Sequence, residues 1–269
     1  PEHGEKVFHN ISELLIDSIA HDPWKVLKEK IRQAAGILSR LPRKCELGDI
    51  PSIALIGEIY VRRDSFSRQR LVERLSKRGF WVRTAPVAEW IHYCDYIVQH
   101  RLVAKSQWSD RVKNRITCMV KNPFEDEIRN MFAECGFYRV FDNDVDHLIE
   151  AARELISPRL TGEAILTVGA ALAEIVESVD GVLALGPFGC MPSRISEAMV
   201  TNKLNTHKPR IARDAELVAR VMEVWPSLPF LSVETDGNAF PQLIESRLEA
   251  FLLQVSRLFE TKKEICGAK

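Results

Sequence analysis

The chain has 269 residues, 46% hydrophobic and 28% charged, with 37 Lys+Arg balanced by 37 Asp+Glu for a formal net charge of +0. That length suits one large domain or two small ones with an ordinary apolar core. The balance, with a sequence pI near 7.4, excludes a global electrostatic pull toward nucleic acid or anionic lipid. The longest uncharged apolar stretch, Ala164 to Ala173, falls far short of the roughly 20 residues of a membrane-spanning helix. A soluble chain with neither membrane nor nucleic acid as partner is therefore expected. No charged segment followed by an apolar run opens the sequence as a secretory signal would, and it starts at Pro1 rather than Met, which suggests a piece of something longer. Six cysteines stand at 45, 94, 118, 135, 190 and 266 with no C-x-x-C. This scatter predicts thiols in a reducing, cytoplasmic setting and argues against a self-contained zinc ribbon or ferredoxin cluster.

Helical spacing of apolar residues predicts a first helix over Val7 to Ile19, and Asp22-Pro23 restarts a second that Leu41-Pro42 closes. These form an N-terminal helical segment, residues 1–48. The run Ser52 to Ile56 reads as a strand buried on both faces. Ser65 to Arg78 reads as an amphipathic helix stopped by Gly79, and Phe80 to Thr84 as a second strand, which completes a βαβ unit. Residues 87–160 read as a helical insertion: Val87 to about Leu102, Trp108 to Val120, Glu125 to Ala133 and Asp146 to Ile156. Alternation then resumes with a helix Glu163 to Glu177, a strand Gly181 to Leu185, helices Ser193 to Asn202 and Asp214 to Val224, a strand Phe230 to Val233, and a closing helix Gln242 to Phe259. The pattern predicts, over 49–269, an α/β domain with a parallel sheet of four strands in the order 2-1-3-4 and helices on both faces.

Open α/β sheets bind ligands beyond the carboxyl ends of their strands, where the strand order reverses. That rule selects the loops Gly57 to Asp64, Ala85 to Trp90, Gly186 to Arg194 and Glu234 to Asn238. In the third loop Cys190 precedes a helix, where unpaired N–H groups attract negative charge, so its thiolate could bind iron or attack a substrate. The plainer reading is a small buried hydrophobe beside Phe188 and Met191. Glu58, directly after Gly57 at the end of the first strand, could accept a substrate proton, bind a hydroxyl or pair with Arg62 or Arg63, or simply accept backbone N–H groups of its own loop. Arg62 and Arg63 could bind phosphate or carboxylate. Glu234 and Asp236 flank the turn at Gly237 and could cap the last helix. No P-loop, G-x-G-x-x-G, G-x-S-x-G or paired-histidine motif occurs.

The blocks Gly57-Glu58-Ile59-Tyr60-Val61-Arg62, Asp64 to Ser67, Ala85-Pro86 to Glu89-Trp90, Gly162 to Gly169, Gly186-Pro187-Phe188-Gly189-Cys190-Met191-Pro192 and Ser246 to Phe251 together resemble the 2-hydroxyacyl-CoA dehydratase component D family. The likeness runs from about Ser52 to Phe259 and is nearest the branch fused to, or encoded beside, ATP-dependent CoA-enzyme activases. It implies the C-terminal part of a protein of flavodoxin-like domains holding an iron–sulfur cluster, with acyl-CoA as substrate. It also implies an activase domain or subunit as partner, in a homo- or heterodimeric assembly, that drives low-potential electrons into the cluster. Residue by residue, only Cys190 matches a cluster ligand; Gly57, Arg62, Gly189 and Glu234 are expected to line the cofactor side of the site and Glu58 to be the catalytic carboxylate. A [4Fe-4S] cluster needs three or four thiolates, and Cys94, on the helix after the second loop, is a local candidate for a second, although its neighbours suggest an ordinary packed helix.

Two expectations from different classes follow. One is an iron–sulfur domain of a dehydratase-like lyase or ATP-driven reductase; the other is a metal-free docking or regulatory domain with the same fold. A third casts Cys190 as a nucleophile with Glu58 or a histidine as base.

Overall fold

A computed structural model describes residues 2–102, 107–138, 144–238 and 240–267. In chain order the elements are α1 (Glu2–His21), α2 (Trp24–Ser39), a 3-10 turn (Leu47–Asp49), β1 (Ser52–Gly57), α3 (Leu71–Lys77), β2 (Trp81–Thr84), α4 (Ala88–Gln99), α5 (Trp108–Ala133), α6 (Val145–Ala152), α7 (Glu163–Glu174), β3 (Gly181–Pro187), α8 (Met191–Ile211), α9 (Ala215–Val224), β4 (Phe230–Thr235) and α10 (Gln242–Gly267). The chain divides into two compact units: Pro1–Leu47 with Ser106–Asp142, and Gly48–Lys105 with Asn143–Lys269. Parts of the predicted insertion, at 103–106 and 139–143, lie outside the described residues.

The first unit is helical. Pro23 sets an extended backbone ahead of α2, and Asp22 before it accepts from Ser18 and Lys30 at 2.7 and 2.6 Å. Trp24 meets Phe124 edge to face, with ring centroids 4.9 Å apart, and Lys28 pairs with Glu127. The two helices expected at 108–120 and 125–133 are one 26-residue helix, α5, which continues through Pro123 at the loss of one backbone donor.

The second unit holds an all-parallel sheet in the order β2-β1-β3-β4, a Rossmann- or flavodoxin-like arrangement with helices on both faces, as the pattern predicts. All six β1 residues are buried, and their period-2 alternation feeds two cores. Ala54 and Ile56 join Val182, Ala184 and residues of α4, α6, α7, α8 and α9. Ile53 and Leu55 join Leu183, Leu185, Leu231 and Val233 against α3 and α10. Ala164 to Ala173, the apolar stretch noted above, is buried around the full circumference of α7, as a helix apolar on every side must be.

The segment after β1 also differs from its expectation. The helix expected from Ser65 begins only at Leu71, because Asp64 Oδ2 accepts from the Ser67 N–H at 2.7 Å and Gln69 and Arg70 take left-handed backbone angles, φ 53° and 49°. The resulting turn is tied to the β4 loop: Thr235 Oγ1 donates to Ser67 O at 2.8 Å and Gln69 Nε2 to Gly237 O at 2.7 Å.

Gly57 ends β1 at φ +103°, and a Cβ there would lie 2.1 Å from Leu185 O. Both the backbone angle and the space demand glycine. Gly57→Ala is expected to destabilise the protein by about 2 kcal/mol or more, the sum of backbone strain and overpacking. A lower urea midpoint with an unchanged slope in equilibrium unfolding checks this.

Candidate functional site

The four carboxyl-edge loops lie on adjacent strands and are stitched together by backbone hydrogen bonds. Glu58 N donates to Leu185 O and Phe188 N to Thr235 O, each at 2.9 Å. Gly189 takes φ +72°, and the following residue, Cys190, is the N-cap of the 21-residue helix α8. The helix thus begins at Met191, two residues earlier than its apolar pattern suggests, with Pro192 in its first turn. Cys190 is half-buried, while its neighbours Phe188 and Met191 are 76% and 69% exposed. The plain reading of Cys190 as a core hydrophobe therefore does not describe its surroundings.

Glu58 serves its own loop. Its Oε1 accepts from the Tyr60 N–H at 3.2 Å and its Oε2 from the Val61 N–H at 2.7 Å. Arg62, expected as a surface anion binder, is 4% exposed and turned inward. Its Nη1 donates to Gly57 O at 2.7 Å, its Nη2 to Pro86 O at 3.3 Å, and Nη1 stands 3.6 Å from Glu89 Oε1. Its neighbour Arg63 remains exposed. Glu234 binds Arg194 of α8, with Oε2 accepting from Nη2 at 2.7 Å and Oε1 2.5 Å from Nε. The ion pair joins the β4 end to the first turn of α8. Asp236 accepts from the backbone and side-chain nitrogens of Asn238 at 3.0 and 2.9 Å; these hydrogen bonds hold its carboxyl below the usual range. Since α10 starts at Gln242, neither carboxylate caps that helix.

Two carboxyls complete the site without having been singled out from sequence. Glu163, the first residue of α7, reaches back to accept from the Ile59 N–H at 3.1 Å. Burial pushes its pKa up, Glu58's charge adds to that, and the Ile59 N–H and Arg62 oppose it. Glu89, near the start of α4, is 6% exposed; burial raises its pKa, with Arg62 opposing and the Glu174 charge adding. Tyr93 Oη, one turn further along α4, accepts from the Gly162 N–H at 2.9 Å and so fixes the residue before Glu163. Both glutamates stand inside the blocks Glu89-Trp90 and Gly162-Glu163, but only the folded chain brings residues 59 and 163 together.

Chemically, the edge offers a thiol at a helix N-terminus, the Glu58 carboxylate committed to backbone donors, and the Glu163 carboxyl, whose pKa burial raises. No group of three or more His, Cys, Asp or Glu side chains suited to a metal exists among the described residues. Cys94 is exposed on α4, and none of the six cysteines forms a disulfide there.

No protein-family profile, curated protein or solved structure matches the chain.

Removing Arg62 would leave Glu89 buried without its cation. Arg62→Met is expected to cost about 3 kcal/mol at neutral pH, the scale of breaking a buried pair. The sign with pH follows from linkage: Glu89's folded pKa lies above its unfolded value, so the part of the penalty due to its charge is absent below the unfolded value and grows as pH rises through the folded one, while the loss of Arg62's bonds to Gly57 O and Pro86 O is felt at every pH. Urea unfolding at pH 5 and pH 8 should therefore show a larger deficit at pH 8.

Proposed function

We propose that the α/β unit belongs to a 2-hydroxyacyl-CoA dehydratase-like protein that works with an ATP-dependent activase, and that Cys190 supplies one thiolate to an iron–sulfur cluster. The supporting observation is the position of Cys190 at the N-cap of α8, beyond the carboxyl end of the central strand β3, in a loop whose Phe188 and Met191 face outward. A cluster needs three or four thiolates, and the described residues do not supply them. The others come, on this reading, from segments outside this chain, since all six of its cysteines lie among the described residues and form no such group there. On this reading the chain's own residues orient and protonate. Glu58 and Arg62 hold the β1 loop, the Arg194–Glu234 pair fixes the start of α8, and Glu163, whose pKa burial raises, stands beside the loop as the proton donor toward an acyl-CoA substrate. A cytoplasmic location goes with it.

A second reading, a metal-free docking or regulatory domain of an activase fusion protein, draws on a different observation. Tyr60 and Phe66 are 66% and 72% exposed, and with Phe188 and Met191 they put four large apolar side chains on the loops and the first turn of α8 at one sheet edge. Exposed apolar groups gathered in this way mark contact sites. Both readings require a partner; they differ in whether Cys190 meets iron.

Anaerobic purification of the natural full-length protein, followed by iron and acid-labile sulfide analysis, decides between them. The first reading predicts iron and sulfide that are lost in Cys190→Ser while the circular dichroism spectrum is unchanged. Equal iron in wild type and variant contradicts the ligand role, and iron-free protein that still binds the activase supports docking.

A further inference from the structure

A cleft of about 610 Å³ opens within the helical unit, a size typical of small-molecule sites. Each helix contributes to it at helical spacing, which sets the contributors on one face. They are Gly4 and Phe8 on α1, Leu38 of α2 with Leu41 just past its end, and Ile128 and Phe132 on α5. Phe137 and Tyr138 extend the lining beyond α5, and the Phe137 N–H donates to the buried Cys135 Sγ at 3.4 Å. Phe8 stays 63% exposed, and a Cβ added at Gly4 would meet nothing within 4 Å. Apolar residues of three helices thus surround space that none of the described side chains fills. Atoms lining such a space forgo the dispersion contacts of a packed core, and apolar cavities take up apolar ligands in preference to ordered water.

Charge decides which apolar ligand fits. Arg129 lines the cleft but is paired with Glu125, one turn earlier on α5. Arg43, whose guanidinium lies 5.3 Å from the centre of the Phe137 ring, is bonded to Glu46 at 2.9 Å. Neither cation is free to balance an anion, and a carboxylate or phosphate lodged among these rings would lose its water without compensation. The Tyr138 hydroxyl is the neutral hydrogen-bonding group of the lining, suited to a single hydroxyl or carbonyl.

We infer that this cleft binds a neutral, mainly hydrocarbon molecule of the long-chain alcohol class, with its one polar group directed to Tyr138. The site lies in the helical unit and does not depend on the role of Cys190.

Fluorescence titration of the full chain with the neutral fluorophore N-phenyl-1-naphthylamine tests it, with 1-dodecanol and dodecanoate as competitors at pH 8. Saturable binding of one fluorophore per chain is expected, with dodecanoate a weaker competitor than the alcohol by about tenfold or more. Gly4→Phe puts a ring into the open space at a helical position where glycine is the poorer helix former. The circular dichroism spectrum should therefore persist while affinity falls about tenfold or more. Ile116→Ser, at a position of α5 that is 58% exposed and outside the lining, should leave affinity unchanged. Wild type without saturable binding overturns the inference, as does binding that Gly4→Phe leaves intact or that Ile116→Ser removes. Dodecanoate that competes as well as the alcohol overturns the assignment to a neutral ligand.

Discussion

The guanidinium of Arg62, buried below the sheet's carboxyl edge, holds the geometry on which the site depends. It donates to the last carbonyl of β1 and to the Pro86 carbonyl beyond β2, and it faces Glu89 of α4. A buried charge needs its charge balanced and its donors engaged; the two terminal nitrogens are engaged in this way while Nε has no partner among the described residues, so these contacts tie the three elements together. The loop after β1 is thereby fixed from beneath while Glu58 fixes it from above through the Tyr60 and Val61 N–H groups. Gly57 adds the third constraint, because its close approach to Leu185 O joins that loop to β3 and hence to the approach to Cys190.

The same logic extends along the edge. Arg194 and Glu234 connect α8 to β4, and Thr235 and Gln69 connect β4 back to the β1 loop. Each strand end thus answers to a neighbour, which turns four irregular loops into one surface. On it Glu163 has a raised pKa next to Glu58, whose carboxylate is engaged by backbone donors. Positioned polar groups of this kind act without reorganising when a ligand arrives.

Much of this was legible in the residues. Ser-Ile-Ala-Leu-Ile before Gly57 announces a strand buried on both faces, and four such runs separated by helices lead to the observed strand order. The placing of the candidate site follows from that order through the strand-end rule. What escaped were features set by distant partners. Arg62 and Arg63 are adjacent in sequence, yet one is buried and one exposed, and only the β2 loop and α4 decide which. The segment after Ser65 has helical spacing but is held as a turn by hydrogen bonds to residues 168 positions away. Glu163 enters the site by bonding a backbone group 104 positions away. Local pattern carries periodicity and caps; it carries no information on which buried charge will find its balance.

The measurement that bears most directly on this arrangement is a carbon-13 NMR titration of the Glu89 side-chain carboxyl in the wild-type protein, assigned by comparison with Glu89→Gln. Because Glu89 is buried against Arg62, its midpoint should lie above that of an exposed glutamate, and it should rise further in Arg62→Met. A Glu89 carboxyl that titrates like an exposed side chain, and does not respond to loss of Arg62, would contradict the account of how the carboxyl edge is held.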